Sequence, residues 1–377
     1  MTKIPFTTPT LTEKELDNID EAIQSCRLAG DGRFSRLCES YLENHFHAAK
    51  VFLTPSCTAA LELAALTLNI QSGDEVIMPS YTFASTANAF ALRGAVPVFV
   101  DIRSDTLNID EELIQHAVTK KTKAIVPVHY AGVSANMERI TETADSLGLK
   151  VIEDAAQAMG SKFRGHNVGR SGCLATLSFH ETKNIVSGEG GALIVNDPQL
   201  VNRADVIRNK GTNRKEFFEG SVDKYTWVEL GSSFLVSELV AAFLLPQLEA
   251  HEKINNVRLQ DWNSYHENLS NLETTGHLRR PIVPRDTEHN GHLYYILVDS
   301  REVRDRLIAY LSSHGISSVF HYTPLHSSPA GCKYGRSCGD LSVTDTLSSQ
   351  LLRLPLNIGQ EQVNRICDQV STFFLRE

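Results

Sequence analysis

Seven short, almost wholly apolar runs recur between residues 51 and 196: VFL (51–53), EVIMP (75–79), VPVFVDI (96–102), AIVPV (124–128), LKVIE (149–153), ATLSF (175–179) and ALIVN (192–196). Helical spacing fills the gaps near 58–68, 84–93, 110–118 and 136–147. A strand that is apolar on both faces needs cover on both sides, and helices in the crossovers supply it. The pattern therefore predicts an α/β protein built on a mostly parallel, seven-stranded sheet. Two helices precede it. Thr12 and Glu15 have the spacing of a capping box ahead of Leu16, Ile19, Ile23 and Cys26, and a segment from Ser35 to His45 carries Leu37, Tyr41 and Leu42.

The rhythm stops near residue 197. Long helical patterns follow at 198–209 and 234–270, then HLYYILV (292–298), a helix at 301–313, a strand ISSVF (316–320) and a helix at 360–374. This predicts a large domain over 1–250, N-terminal helices included, and a smaller C-terminal α/β domain over 251–377. No linker-like tract separates them.

Composition narrows the function classes. With 36 Lys+Arg against 45 Asp+Glu, the net charge of −9 disfavours a protein that grips nucleic-acid phosphates, though a local anion site remains open. Seven cysteines, an odd number with no C-x-x-C, point to a reducing compartment and to no structural metal; Cys332 and Cys338 form the one close pair. The start of the chain has no apolar signal core, and no run reaches a membrane-spanning length of about 18 residues. A cytoplasmic protein without membrane contact is expected.

Ligands of open α/β sheets sit beyond the carboxyl ends of the strands. The first strand runs into Pro55-Ser56-Cys57-Thr58, a polar turn opening a helix, which is either a plain N-cap or a phosphate cradle. The strand 149–153 leads to Asp154, and the strand 175–179 to a turn carrying Lys183, followed by Gly190-Gly191. A lysine just beyond a buried strand can be partly desolvated, which frees its amine as a nucleophile. Together these are the parts pyridoxal phosphate (PLP) requires: a lysine for the Schiff base, an acid for the pyridine nitrogen and a helix terminus for the phosphate.

The segments PSCTAALELA, PSYTFASTANA, PVHYAG, IEDAAQAMGS, SFHETKN and GEGGAL resemble those of the DegT/DnrJ nucleotide-sugar aminotransferases of PLP fold type I. The likeness also covers GDGRFSRLCESYLE, HYTPLH and LPL, so it spans nearly the whole chain. It implies that Lys183 binds PLP covalently and that Asp154 pairs with the ring nitrogen. Gln157 would reach the phenolic oxygen, and Phe83 would stack on the ring in preference to Tyr81. Cys57 (through its backbone), Thr58 and Ser178 would hold the phosphate. Ordinary core packing for Phe83 and a strand-end hydrogen bond for Ser178 remain alternatives. Arg33, Phe34, His321 and His326 are substrate-side candidates, the first two from across a dimer interface.

The resemblance further implies transamination at C4 of a dTDP-4-keto-6-deoxyhexose with L-glutamate as donor, in a homodimer with the active site at its interface. The run from Gly211 to Phe218, with Asp223 to Trp227, is closest to members that make dTDP-4-amino-4,6-dideoxygalactose for surface polysaccharides. Another nucleotide keto-sugar, or a PLP-dependent sugar dehydratase, is the alternative; dehydratase relatives carry His where this chain has Lys183. Two departures stand out. Gly231-Ser232-Ser233-Phe234-Leu235 replaces a G-x-N-x-R segment whose Asn reaches the partner's phosphate, leaving Ser233 as the substitute, and Cys173 follows Gly172 where Asp is common. A nicotinamide enzyme is disfavoured, because no G-x-G-x-x-G follows the first strand.

Overall fold

The computed structural model describes residues 3–376 except Lys215, Glu216, Phe218 and Glu219. Lys215, Glu216 and Phe218 belong to the run that points to dideoxygalactose-forming members, so that part of the likeness lies outside the described residues. The strands are β1 (Lys50–Thr54), β2 (Glu75–Pro79), β3 (Val96–Val100), β4 (Thr122–Ile125), β5 (Lys150–Asp154), β6 (Lys162–Phe163), β7 (His166–Asn167), β8 (Leu174–Ser178), β9 (Gly191–Val195), β10 (Thr287–Glu288), β11 (Tyr294–Leu297), β12 (Arg336–Ser337) and β13 (Leu351–Leu354).

The large sheet has the order β1-β9-β8-β5-β4-β2-β3-β12. All seven expected strands lie in it, but it has eight strands rather than seven. The extra one, β12, runs parallel to β3 and is only two residues long, too short for any period to betray it. Arg336 holds it in place through a bidentate pair with Glu75 (3.0 and 2.8 Å). Alternate side chains serve opposite faces: Val51 and Leu53 join one core cluster and Phe52 another, while Val76 and Met78 oppose Ile77. Burying each such side chain stabilises by roughly 1.5–3 kcal/mol, which is why both faces carry helices.

Strand β9 is antiparallel to both β1 and β8. Its first residue, Gly191, therefore lies opposite Thr54 and Ser178, where β1 and β8 end. One end of the sheet thus gathers three chain segments.

The smaller sheet, β11 with β13, packs with helices His251–Asn268, Arg301–Ser313 and Gln360–Phe374 around Trp262, Tyr265, Leu307 and Val370, and Ile4 joins this core. The expected strand at 316–320 does not form. Its backbone meets partners only at two isolated bridges, Ile316 with Ile4 and Val319 with Arg353 of β13. Helices Pro329–Tyr334 and Ser342–Gln350 were not expected.

The first helix, Glu15–Gln24, corrects two expectations. Lys14, not Thr12, occupies its N-cap, and only half the capping box forms, with Thr12 N–H donating to the Glu15 carboxylate (2.9 Å). Its apolar row also faces outward, Leu16 being 77% and Ile23 53% exposed. The helix docks instead through Glu15, Asn18 and Ala22 on helix Glu238–Glu249, where Asn18 donates to the Ala242 carbonyl (3.2 Å) and Gln247 to Glu15 (2.7 Å).

Candidate active site

A cavity of about 470 Å³ opens where β1, β2, β5 and β8 end. Residues beyond β1 supply a helix start. Ser56 caps helix Cys57–Thr67, accepting a hydrogen bond from Ala59 N–H (3.1 Å), so the N–H groups of Cys57 and Thr58 stay outside the helical ladder. Thr58 Oγ1 meets Ser85 Oγ at 2.7 Å, and both line the cavity with Ser178. A Cβ on Gly191 would lie 2.5 Å from the Cys57 nitrogen, so only glycine lets β9 approach this terminus. Hydroxyls and N–H groups outside the helical ladder converge here, a donor set suited to a phosphate.

Asp154 ends β5 and is 5% exposed. Thr86 donates to its Oδ2 (2.8 Å), and Ala156 N–H to its Oδ1 (3.2 Å). Thr86 spends its proton on Asp154 and so accepts from Thr82 at 2.8 Å, giving a directed chain Thr82→Thr86→Asp154. Lys183 sits in the turn after β8, its backbone N–H bonded to the His180 carbonyl (2.9 Å). Its ammonium lines the cavity with no hydrogen bond or ion pair among the described residues. Burial lowers the Lys183 pKa, and the charge of Arg353 pushes the same way, against the opposing influence of Cys57 and Asp154. A lysine so placed keeps more of its amine unprotonated near neutrality.

Gln157 lies one turn after Asp154. Its Oε1 accepts from Ala131 N–H (2.7 Å) and its Nε2 donates to Tyr322 Oη (2.9 Å). Both partners are non-glycine residues at positive φ, 59° and 43°, a conformation costing about 1–2 kcal/mol that these bonds help to hold. Phe83 is 59% exposed on the cavity wall, so it is not a core residue; Tyr81 is buried, its hydroxyl spent on the His321 carbonyl (2.8 Å). His321 also lines the cavity, with Nδ1 on Tyr130 Oη (2.8 Å) and its ring 3.6 Å from that of Tyr322. Burial holds its pKa well below the usual value, so the ring is neutral.

Lys183, Asp154, Gln157, Phe83, Cys57, Thr58, Ser178 and His321 thus share one cavity. Three substrate-side candidates lie outside this cavity, two of which, Arg33 and Phe34, were expected to act across a dimer interface. His326 is turned to Ser80 Oγ (2.7 Å) and Asp345 (3.4 Å). Phe34 is core, 4% exposed, because Glu238 captures its N–H (2.7 Å) and draws the segment inward. Arg33 pairs with Glu21 on the surface. Ser233 is exposed, in an isolated bridge with Asn209, and Cys173 donates to the Val151 carbonyl (3.2 Å). His129 serves the scaffold: its Nε2 meets Glu153 (3.0 Å), which also accepts from Gly169 (3.0 Å) and Gly172 (2.7 Å).

Sequence reasoning missed Ser85, Thr86, His292, Tyr322 and Arg353 in the cavity wall. Ser85, Thr86 and Tyr322 fall inside the quoted family segments, which is the signal that would have found them. No group of His, Cys, Asp and Glu suited to a metal exists among the described residues. No described helix is long and apolar enough to cross a membrane.

The family model for DegT/DnrJ/EryC1/StrS aminotransferases matches residues 9–371. GDP-perosamine synthase of Escherichia coli O157:H7 is 31% identical over 377 residues, covering 99% of both chains. The crystal structure of the aminotransferase TlmJ from Streptoalloteichus hindustanus superposes with a TM-score of 0.90 at 29% identity, over 99% of each chain. That of DesV from S. venezuelae gives 0.88 at 30% identity, over 98% of each chain. With this fold, and with a buried lysine sharing its cavity with a buried acid and a phosphate-type cradle, the chain belongs to the DegT/DnrJ/EryC1/StrS family and is a PLP-dependent aminotransferase.

Proposed function

We propose that the protein moves an amino group from L-glutamate to C4 of a dTDP-4-keto-6-deoxyhexose, giving dTDP-4-amino-4,6-dideoxy-D-galactose and 2-oxoglutarate for surface polysaccharide synthesis. The observation that carries this reading is the unpaired Lys183 amine in the same cavity as Asp154. Support for a nucleotide-sugar acceptor comes from the full-length likeness to a GDP-perosamine synthase, together with the family segments in the sequence.

PLP bound here supplies an aldehyde that carries nitrogen between two substrates and a ring that takes up electrons when a C–H bond breaks. Lys183 provides the nucleophilic amine and, once displaced, the base that holds and returns the proton between carbon centres. Asp154, kept in place by Thr86 and Ala156, supplies fixed negative charge for the ring nitrogen. Cys57 N–H, Thr58 and Ser178 would hold the phosphate, Phe83 would cover the ring face and Gln157 would approach its oxygen. His321 lies on the substrate side.

The working unit in this reading is a homodimer with a shared active site. Outward-facing Leu16 and Ile23, with Trp227 71% and Leu230 58% exposed, provide apolar surface for a second copy. Residues 1–250 and 251–377 act as the large and small domains of that unit. The test is incubation of PLP-loaded protein with L-glutamate and a panel of nucleotide keto-sugars, with products identified by mass and NMR. An aminated dTDP-sugar with axial C4 nitrogen is expected. Loss of the cofactor's absorbance with glutamate, but no aminated sugar from any acceptor, would refute the substrate.

A further inference from the structure

We propose that His292 is a positioning residue for Lys183: its ring, locked with the proton on Nδ1, offers Nε2 as a hydrogen-bond acceptor to the lysine's amine whenever that amine is free. This rests on the aminotransferase reading above and adds to it a residue from the loop ahead of β11.

The place of that proton follows from a closed set of hydrogen bonds. Asn255 donates from Nδ2 to the Met159 carbonyl (3.0 Å), which leaves its Oδ1 as an acceptor. Asn184 Nδ2 donates to that Oδ1 (2.8 Å) and to the Asn290 carbonyl (2.9 Å). The Asn184 Oδ1 is therefore the atom that meets His292 Nδ1 at 2.9 Å, and because a carbonyl oxygen only accepts, Nδ1 carries the hydrogen. Asn290 fixes the backbone beside the ring. Its Oδ1 accepts from His292 N–H (3.0 Å) while its Nδ2 donates to the Gln157 (2.9 Å) and Met159 (3.1 Å) carbonyls. His292 and the three amides are all buried. Burial holds the His292 pKa well below the usual value, and the charges of Lys183, Arg258 and Arg353 push the same way. A neutral imidazole protonated at Nδ1 has a bare lone pair at Nε2. The ring lines the Lys183 cavity, and among the described residues Nε2 has no hydrogen-bond partner.

The surrounding wall indicates which donor this lone pair serves. Arg258 is spent on the Gly291 (3.1 Å) and His292 (2.7 Å) carbonyls, and Arg353 lies over the Phe6 ring (4.5 Å). His321, neutral as well, turns Nδ1 to Tyr130 (2.8 Å). Lys183 immediately precedes Asn184, so the lysine and the clamp on the His292 ring belong to one turn, and of the charges around His292 that of Lys183 acts on it most strongly. Two other groups act on Lys183 with the opposite sense, but Asp154 already accepts from Thr86 and Ala156, and burial pushes the Cys57 thiol up so that it stays neutral. His292 Nε2 is the unoccupied acceptor in this wall. A hydrogen bond from the lysine to Nε2 would hold the free amine in one orientation between its two substrates. It would also favour the ammonium over the amine and so raise the Lys183 pKa above the value that burial alone would set.

The experiment uses the full chain loaded with pyridoxamine phosphate, the form in which the Lys183 amine is free, and compares wild type with His292→Asn and His292→Gln. Asparagine keeps a donor for Asn184 but places nothing at the Nε2 position. Glutamine reaches the Nε2 position and loses the Nδ1 donor. The Lys183 pKa is read from the NMR shifts of isotope-labelled lysine side chains, its signal identified by its absence from Lys183→Ala. The acid limb of the rate with 2-oxoglutarate, followed by cofactor absorbance, is recorded alongside. Loss of a charge-assisted hydrogen bond in His292→Asn should lower the Lys183 pKa by about one unit or more and move the acid limb the same way. His292→Gln should stay near wild type. A shift below about 0.3 unit in His292→Asn would overturn the proposal. So would a shift in His292→Gln as large as that in His292→Asn, which would assign the ring to the Asn184 network alone. The keto-sugar takes no part in these measurements, so a failure to aminate any sugar would refute the acceptor assignment and leave the role of His292 standing.

Discussion

Thr86→Val tests how Asp154 is held. The substitution keeps the side-chain shape and removes one hydroxyl at a site 1% exposed. Asp154 Oδ2 loses its 2.8 Å donor, and the Thr82 hydroxyl loses its 2.8 Å acceptor. In the cofactor-free cavity, water replaces the missing donor at little cost. With PLP seated the site is dry, so the loss falls on the loaded state. A hydrogen bond to a charged group is worth about 1.5–3 kcal/mol, which converts to roughly a 10- to 100-fold weaker PLP dissociation constant. Fluorescence or absorbance titration of cofactor-free protein with PLP measures it. Thr86→Ser should bind nearly as wild type, and Thr82→Val should cost less, about 1 kcal/mol, because Thr86 can still donate. PLP affinity unchanged in Thr86→Val would show that the threonine chain does not position the acid.

Other expectations follow from single contacts. Gly191→Ala places a Cβ against the Cys57 nitrogen and should weaken PLP binding at least about tenfold, or about 1.4 kcal/mol, by pushing β9 off the cradle; equal affinity in titration would refute the close-approach argument. Gln157→Leu frees Ala131 and Tyr322 from their shared anchor and should lower the first thermal transition by several degrees, a change differential scanning calorimetry would detect. Glu39 is 5% exposed, and burial pushes its pKa up to about 7. The folded state then binds the proton more tightly than the unfolded one, so stability is lost as pH rises from the ordinary carboxylate range through 7. Glu39→Gln should accordingly stabilise the protein at pH 8 by on the order of 2–3 kcal/mol and barely at pH 4. A gain independent of pH in denaturation curves would contradict this.

The large sheet was legible because it is buried on both faces, which forces unbroken apolar runs such as those at 75–79 and 175–179. Its order was not, since pairing across the sheet leaves no local trace, and β12 is held by Arg336 and Glu75 rather than by apolar residues. The first helix shows the opposite failure. Leu16 and Ile23 have the spacing of a core face, yet the helix docks through Glu15, Asn18 and Ala22, a choice made by hydrogen bonds from residues more than two hundred positions away. In the site, Lys183, Asp154 and the Ser56–Thr58 turn announced themselves because their chemistry lies at strand ends. Phe34 and His326 lie outside the cavity, a placement set by Glu238 and Ser80 that a flexible-looking Gly30–Gly32 turn and a lone histidine do not reveal. Arg353 was hidden inside an apolar strand, and only the pairing of β11 with β13 shows that it lines the Lys183 cavity.

The central claim is that one lysine, Lys183, holds the cofactor. Borohydride reduction of the PLP-loaded protein, followed by proteolysis and mass spectrometry of the peptides, tests it directly. A pyridoxyl group on the peptide containing Lys183, absent from Lys183→Ala, is the predicted result. The label on any other lysine, or a cofactor absorbance band that survives Lys183→Ala, would contradict it.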